Sequence, residues 1–78
     1  MKNVKVYSTP TCPYCIRVKE YLRKHNVVFE NFDVLADSKK ADEMVKKSGQ
    51  MSVPVLDIEG EIIVGFDEDR INELLGIK

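Results

Sequence analysis

An α/β fold in the order β-α-β-α-β-β-α, a four-stranded mixed sheet flanked by three helices, is predicted for this 78-residue sequence on three observations. Apolar and polar residues alternate around Val4 and Val6, then switch to helical spacing from Pro13 onward, as when a strand feeds a helix. A segment rich in β-branched and aromatic residues follows that helix, which suits a parallel strand pair joined by a right-handed crossover. Near the C-terminus, two apolar runs flank Glu59-Gly60, and a two-residue loop with Gly second is a strong hairpin signal.

The first strand carries Val4 and Val6 and is broken by Ser8-Thr9-Pro10-Thr11. The first helix is expected over residues 13–25, with Val18, Tyr21 and Leu22 on one face and Glu20 placed to pair with Lys24 one turn on. Pro13 suits the first helical position, where its missing N–H has no partner to lose, and this makes Cys12 the N-cap. Asn26 is the stop signal. Residues 27–34, with three valines and two phenylalanines, read as the second strand. Asp37 or Ser38 caps a second helix that turns Ala41, Met44 and Val45 inward and ends at Gly49. Val55–Ile58 and Glu61–Val64 form the hairpin, and Asp67 caps a last helix with Ile71, Leu74 and Leu75 as its buried stripe. With no repeat or linker, residues 1–78 are expected to form one domain.

The composition, 44% hydrophobic and 32% charged, is that of a folding chain, although one this short buries only about 60% of its unfolded surface. Twelve Lys and Arg against 13 Asp and Glu leave a net charge of −1 and no basic excess for nucleic acid or an anionic membrane. No stretch approaches the ~20 apolar residues of a membrane span. The N-terminal run turns polar at Ser8, too early for a signal peptide. Two cysteines do not make the framework of a secreted domain, which takes roughly four to eight. A reducing, cytoplasmic setting is the expectation.

Cys12-Pro13-Tyr14-Cys15 falls at the junction of first strand and first helix. Thiols at i and i+3 can close a disulfide with little backbone movement. Cys12 sits where unpaired N–H groups and the helix dipole favour negative charge, so its thiolate is the expected nucleophile. Cys15, one turn deeper and facing the domain, is expected to be the less acidic thiol that resolves the mixed disulfide. A zinc site needs four ligands, and His25, the single histidine, lies more than two turns further along the same helix. No metal is expected within one chain; His25 reads as a surface residue near the helix C-terminus.

Two other features stand out. Pro54 at a strand start cannot donate a ladder bond, and a cis fraction of about 5–6% for X–Pro bonds favours a trans Val53-Pro54 peptide. Gly65 before a helix capped by Asp67 leaves backbone N–H groups free to hold a carboxylate. Asp67, Glu68 and Asp69 would repel that anion unless an ammonium accompanies it, a mixed demand met by the amino-acid end of a peptide. An ordinary capped helix is the simpler reading.

Taken together, Tyr7-Ser8-Thr9-Pro10-Thr11-Cys12-Pro13-Tyr14-Cys15, Ser52-Val53-Pro54 and Val64-Gly65-Phe66-Asp67 resemble the glutaredoxins in order and spacing over essentially the whole chain. The resemblance implies a thioredoxin fold, a cis Pro54 and thiol–disulfide exchange at Cys12 and Cys15. It further implies a glutathione site in which the Val53 backbone meets the cysteine of glutathione, Asp67 the γ-glutamyl end, and Tyr14 the flank beside the disulfide. Thr11, Ser52, Pro54, Gly65 and Phe66 complete that contact set. Implied with it are glutathione as co-substrate, no tightly bound cofactor, disulfide-containing proteins as partners, and a monomer. Thr9 and Met51 stand where members commonly carry basic residues, and Phe66 where they commonly carry a second glycine. Gly65-Phe66 is similar instead to the small glutaredoxin-like electron donors of ribonucleotide reductase, which a flavoprotein, thioredoxin reductase, recharges. A further alternative, of another class, is a dimer holding zinc or an iron–sulfur cluster through Cys12.

Overall fold

Strands β1 (Val4–Ser8), β2 (Glu30–Asp33), β3 (Val55–Ile58) and β4 (Glu61–Val64) form one sheet in the order β2-β1-β3-β4, in a computed structural model that describes residues 3–77. β1 runs parallel to β2, from Lys5↔Glu30 to Ser8↔Asp33, and antiparallel to β3, with Val4 opposite Ile58 and Tyr7 opposite Val55. β4 closes the sheet antiparallel to β3. The crossover between β1 and β2 is helix α1 (Pro13–Lys24); α2 (Ser38–Ser48) joins β2 to β3, and α3 (Glu68–Leu75) follows β4.

Alternation along the strands sends side chains to two separate cores. Val4, Val6, Leu56, Ile58 and Ile63 face one side and pack against Val18 and Leu22 of α1 and Ile71 of α3. Tyr7 and Val55 face the other and pack against Met44 of α2. The central strand β3 is covered on both faces, and all four of its residues are buried. This three-layer arrangement is the thioredoxin fold.

The helix ends follow the sequence chemistry. Cys12 is the N-cap of α1, with Pro13 at its first position. Asp37 rather than Ser38 caps α2: its Oδ1 accepts the N–H groups of Lys39 (3.1 Å) and Lys40 (3.2 Å). Asp67 caps α3 by accepting the Arg70 N–H at 3.2 Å. In the β3–β4 hairpin both Glu59 (φ 52°) and Gly60 (φ 89°) lie in the left-handed region, as a type I′ turn requires.

Three expectations are corrected. The second strand is Glu30–Asp33, not residues 27–34. Asn26 turns the chain at φ 59°, and the Val27 N–H bonds back to the Leu22 carbonyl at 2.8 Å. Val27 and Phe29 therefore pack as caps on the α1-side core while Val28 is 71% exposed, and β1 offers β2 a partner only from Lys5 to Ser8. In α3 only Ile71 is fully buried; Leu74 and Leu75 are half-buried on the core's edge. The Val53–Pro54 peptide is cis, against the base-rate expectation and as the resemblance implied. Among the described residues no helix is long and apolar enough to cross a membrane.

Candidate active site

β1 ends at Ser8, and the turn after it, closed by the Cys12 N–H on the Thr9 carbonyl (3.4 Å), delivers Cys12 to the start of α1. With φ −95° and ψ 113° the residue is extended, and its side chain does the capping: the Cys15 N–H points at Cys12 Sγ from 3.2 Å. A sulfur so placed meets the positive end of the helix dipole and an amide hydrogen at once. Cys12 is partly exposed; both cysteines are free thiols.

Cys15 lies one helical turn further on and differs in its surroundings. It is fully buried, and burial pushes its thiol up to about 11, aided by the neighbouring Cys12 sulfur and opposed by the Thr9 backbone and the Lys19 charge. One thiol is open to a disulfide in solvent; the other stays protonated behind it.

Val53 supplies the opposite wall. It lies ahead of the β3 ladder, which begins at Val55, and its carbonyl oxygen is 4.0 Å from Cys12 Sγ. From there an open cleft of about 830 Å³ runs to the N-terminus of α3. Of the expected glutathione-contacting residues, Tyr14, Val53, Pro54, Gly65, Phe66 and Asp67 line this cleft together, joined by Val64, Glu68 and Asp69. Ser52 faces a second cleft beyond Val53, and Thr11, exposed, lines neither. Tyr14 is 59% exposed with the Arg17 guanidinium 5.7 Å over its ring. Phe66 reaches down to pack edge-on against Tyr21, with ring centroids 5.6 Å apart.

One expected donor is already in use. The Gly65 N–H bonds to the Pro54 carbonyl at 2.8 Å, because the β3–β4 pairing extends one step past the strand ends. The amides available to an anion are thus those at the start of α3, which the helix ladder leaves without partners. Among the described residues no group of three His, Cys, Asp or Glu side chains stands where it could hold a metal ion.

The sequence reading missed a polar cluster under α2. Lys47 Nζ contacts Asp57 Oδ2 (2.6 Å), the Tyr7 hydroxyl (3.0 Å) and Glu43 Oε1 (3.3 Å). Burial pushes the Asp57 carboxyl up, but the hydrogen bonds from Lys47 and the Gly60 N–H outweigh it and hold the group below the usual range. Lys47 is raised in turn, chiefly by Asp57. An acidic residue inside the apolar run of β3 was the available signal.

The glutaredoxin family model matches residues 4–63. The chain belongs to the glutaredoxin family. Its relatives include an uncharacterised glutaredoxin-like 8.6 kDa protein of the rubredoxin operon of Clostridium pasteurianum, 47% identical over 72 residues, covering 92% of this chain and 96% of that one. Glutaredoxin 3 of Escherichia coli is 38% identical over 68 residues, 87% of this chain and 82% of its own. Among solved structures, a glutaredoxin of Archaeoglobus fulgidus superposes with a TM-score of 0.86 at 30% identity, covering 96% of this chain and 87% of that one. A thioredoxin-like protein reaches 0.92 at 37% identity over the full length of both. Glutaredoxin membership makes this chain a thiol–disulfide oxidoreductase.

Proposed function

We propose that this single-domain glutaredoxin uses Cys12 as nucleophile and Cys15 as resolving thiol, with glutathione as co-substrate and a cytoplasmic setting. The observation that carries the reading is the contrast between a partly exposed Cys12 sulfur at a helix N-terminus and a buried Cys15 beneath it. Cys12 thiolate attacks one sulfur of a protein disulfide or glutathione mixed disulfide, and the other sulfur leaves with the electron pair. Cys15 then gives up its proton and attacks Cys12 Sγ, releasing the second product and leaving a Cys12–Cys15 bridge. Two reducing equivalents from glutathione restore the dithiol.

In this reading glutathione lies along the cleft from Cys12 to α3. The Val53 backbone, outside the ladder of β3, pairs with its cysteine as an added strand would. The γ-glutamyl carboxylate meets the amides at the start of α3, and its ammonium meets Asp67. Tyr14, Phe66 and the cis Pro54 shape the walls. The protein acts as a monomer on disulfide-containing proteins.

A second reading concerns the electron donor alone. The residues at the far end of the groove, Thr9 and Met51, carry no cation for the glycyl carboxylate, which favours direct recharge by a flavoprotein disulfide reductase. One assay separates the two. Reduction of a glutathionylated protein is followed for the parent, Cys12→Ser and Cys15→Ser forms, with either glutathione or thioredoxin reductase as donor. The proposal expects Cys12→Ser to be inactive throughout and Cys15→Ser to retain turnover with glutathione. Turnover with the flavoprotein only, needing both cysteines, selects the second reading.

A further inference from the structure

Val53 is a shared wall. On its α3 side lies the acidic cleft, with Asp67, Glu68 and Asp69. On its other side lies a smaller cleft of about 190 Å³ between the chain after β2 and the segment before Pro54. Val34, Leu35, Met44 and Met51 give it an apolar lining, and none of its lining side chains is ionisable. Leu35 and Met51, 71% and 76% exposed, stand among the most exposed large apolar residues of the fold. Ser52 Oγ, on the same cleft, is buried and has no hydrogen-bond partner among the described residues.

We propose that this second cleft receives the apolar side chain of the residue that follows the reactive cysteine in a polypeptide substrate. The inference rests on the function proposed above, because that reading sets the direction of the bound chain. With the residue before the cysteine at α3, the residue after it must pass Val53 into the second cleft.

Three observations favour this occupant. Any substrate caught as a mixed disulfide is tethered to Cys12 Sγ, 4.0 Å from the Val53 carbonyl, so the segment covering the cleft is the one carrying the attacked sulfur. The two clefts are unlike in charge, three carboxylates on one side and no ionisable group on the other, so they suit a chain with a polar or cationic leading end and an apolar following residue. Leu35 and Met51 leave large apolar side chains in solvent on this cleft, surface that an apolar side chain seated there would cover. A free glycyl carboxylate meets no cation among the residues that line this cleft.

The test uses two amidated tripeptides, γ-Glu-Cys-Gly-NH2 and γ-Glu-Cys-Leu-NH2, each as a mixed disulfide with thionitrobenzoate. Cys12 thiolate of the Cys15→Ser protein attacks the peptide sulfur; the peptide–nitrobenzoate S–S bond breaks, and the coloured thionitrobenzoate anion leaves with the electron pair. Each rate is divided by that of the same disulfide with dithiothreitol, which removes intrinsic reactivity. The leucine peptide is expected to react about tenfold faster than the glycine peptide, the discrimination of a modest apolar pocket. Adding Leu35→Ser and Met51→Ser, both exposed, is expected to bring the ratio to within about twofold with the melting temperature unchanged. Equal normalised rates in the Cys15→Ser parent, or a ratio untouched by the double substitution, would overturn the cleft assignment while leaving Cys12 as nucleophile. If neither peptide outpaces its reaction with dithiothreitol, the underlying reading of the Cys12 site falls as well.

Discussion

Cys12 and Cys15 are chemically identical side chains three positions apart, and the fold divides them by depth. Cys15 is fully buried, and its thiol is held up at about 11 from a reference of 9.0, by burial first and then by the sulfur beside it. The folded value lies above the unfolded one. The neutral thiol therefore adds stability that is complete below about pH 9 and is lost as pH rises through about 11. Denaturant unfolding of reduced parent and Cys15→Ala protein over that range reads this out, since other alkaline effects are common to both. The parent's advantage is expected to shrink steadily between those two values; an advantage independent of pH would mean that Cys15 ionises alike in both states. The Cys12 cap was legible in the sequence because Pro13 marks a first helical position. The orphaned Ser52 hydroxyl was not, because having no partner is a property of packing rather than of a residue type.

At the scale of elements, α2 is fixed to the sheet by apolar contacts around Met44 and by Lys47 reaching Asp57 on β3 and Tyr7 on β1. Asp57 is mostly buried and Lys47 partly so, which makes this more than a surface pair. Lys47→Met leaves the carboxylate without its counter-ion and is expected to cost about 1–3 kcal/mol in urea unfolding. The burial that already pushes the Asp57 carboxyl up would then act unopposed by lysine. Adding Asp57→Leu is expected to recover most of the loss, because removing both charges removes the penalty; a double substitution as unstable as the single would show that the pair itself stabilises. Strand β3 was readable from Val55-Leu56-Asp57-Ile58, but not its bond to a lysine on another element, since nothing local encodes which helix face lies above a strand. The start of β2 was misread for a related reason. Val27 and Phe29 look like strand residues, yet they serve as apolar caps on the α1-side core once Asn26 has turned the chain.

For the molecule as a whole, the sheet order decides the site. Placing β1 beside β3 brings the start of α1 against the segment before Pro54, so that Cys12 and Val53 meet across 41 positions of sequence. Element order and hairpin followed from periodicity and turn chemistry; this long-range meeting did not, and only the resemblance of the motifs anticipated it. From the meeting come one partly exposed sulfur, two clefts of unlike polarity and one sheltered thiol, which together make up the proposed reaction. The most direct measurement of that account is where glutathione attaches. Cys15→Ser and Cys12→Ser proteins, each incubated with glutathione disulfide near neutral pH, are digested and mapped by mass spectrometry. The account predicts one glutathione on Cys12 in the first protein and none on Cys15 in the second over the same time. Equal labelling of the two cysteines, or labelling of Cys15 alone, would contradict it.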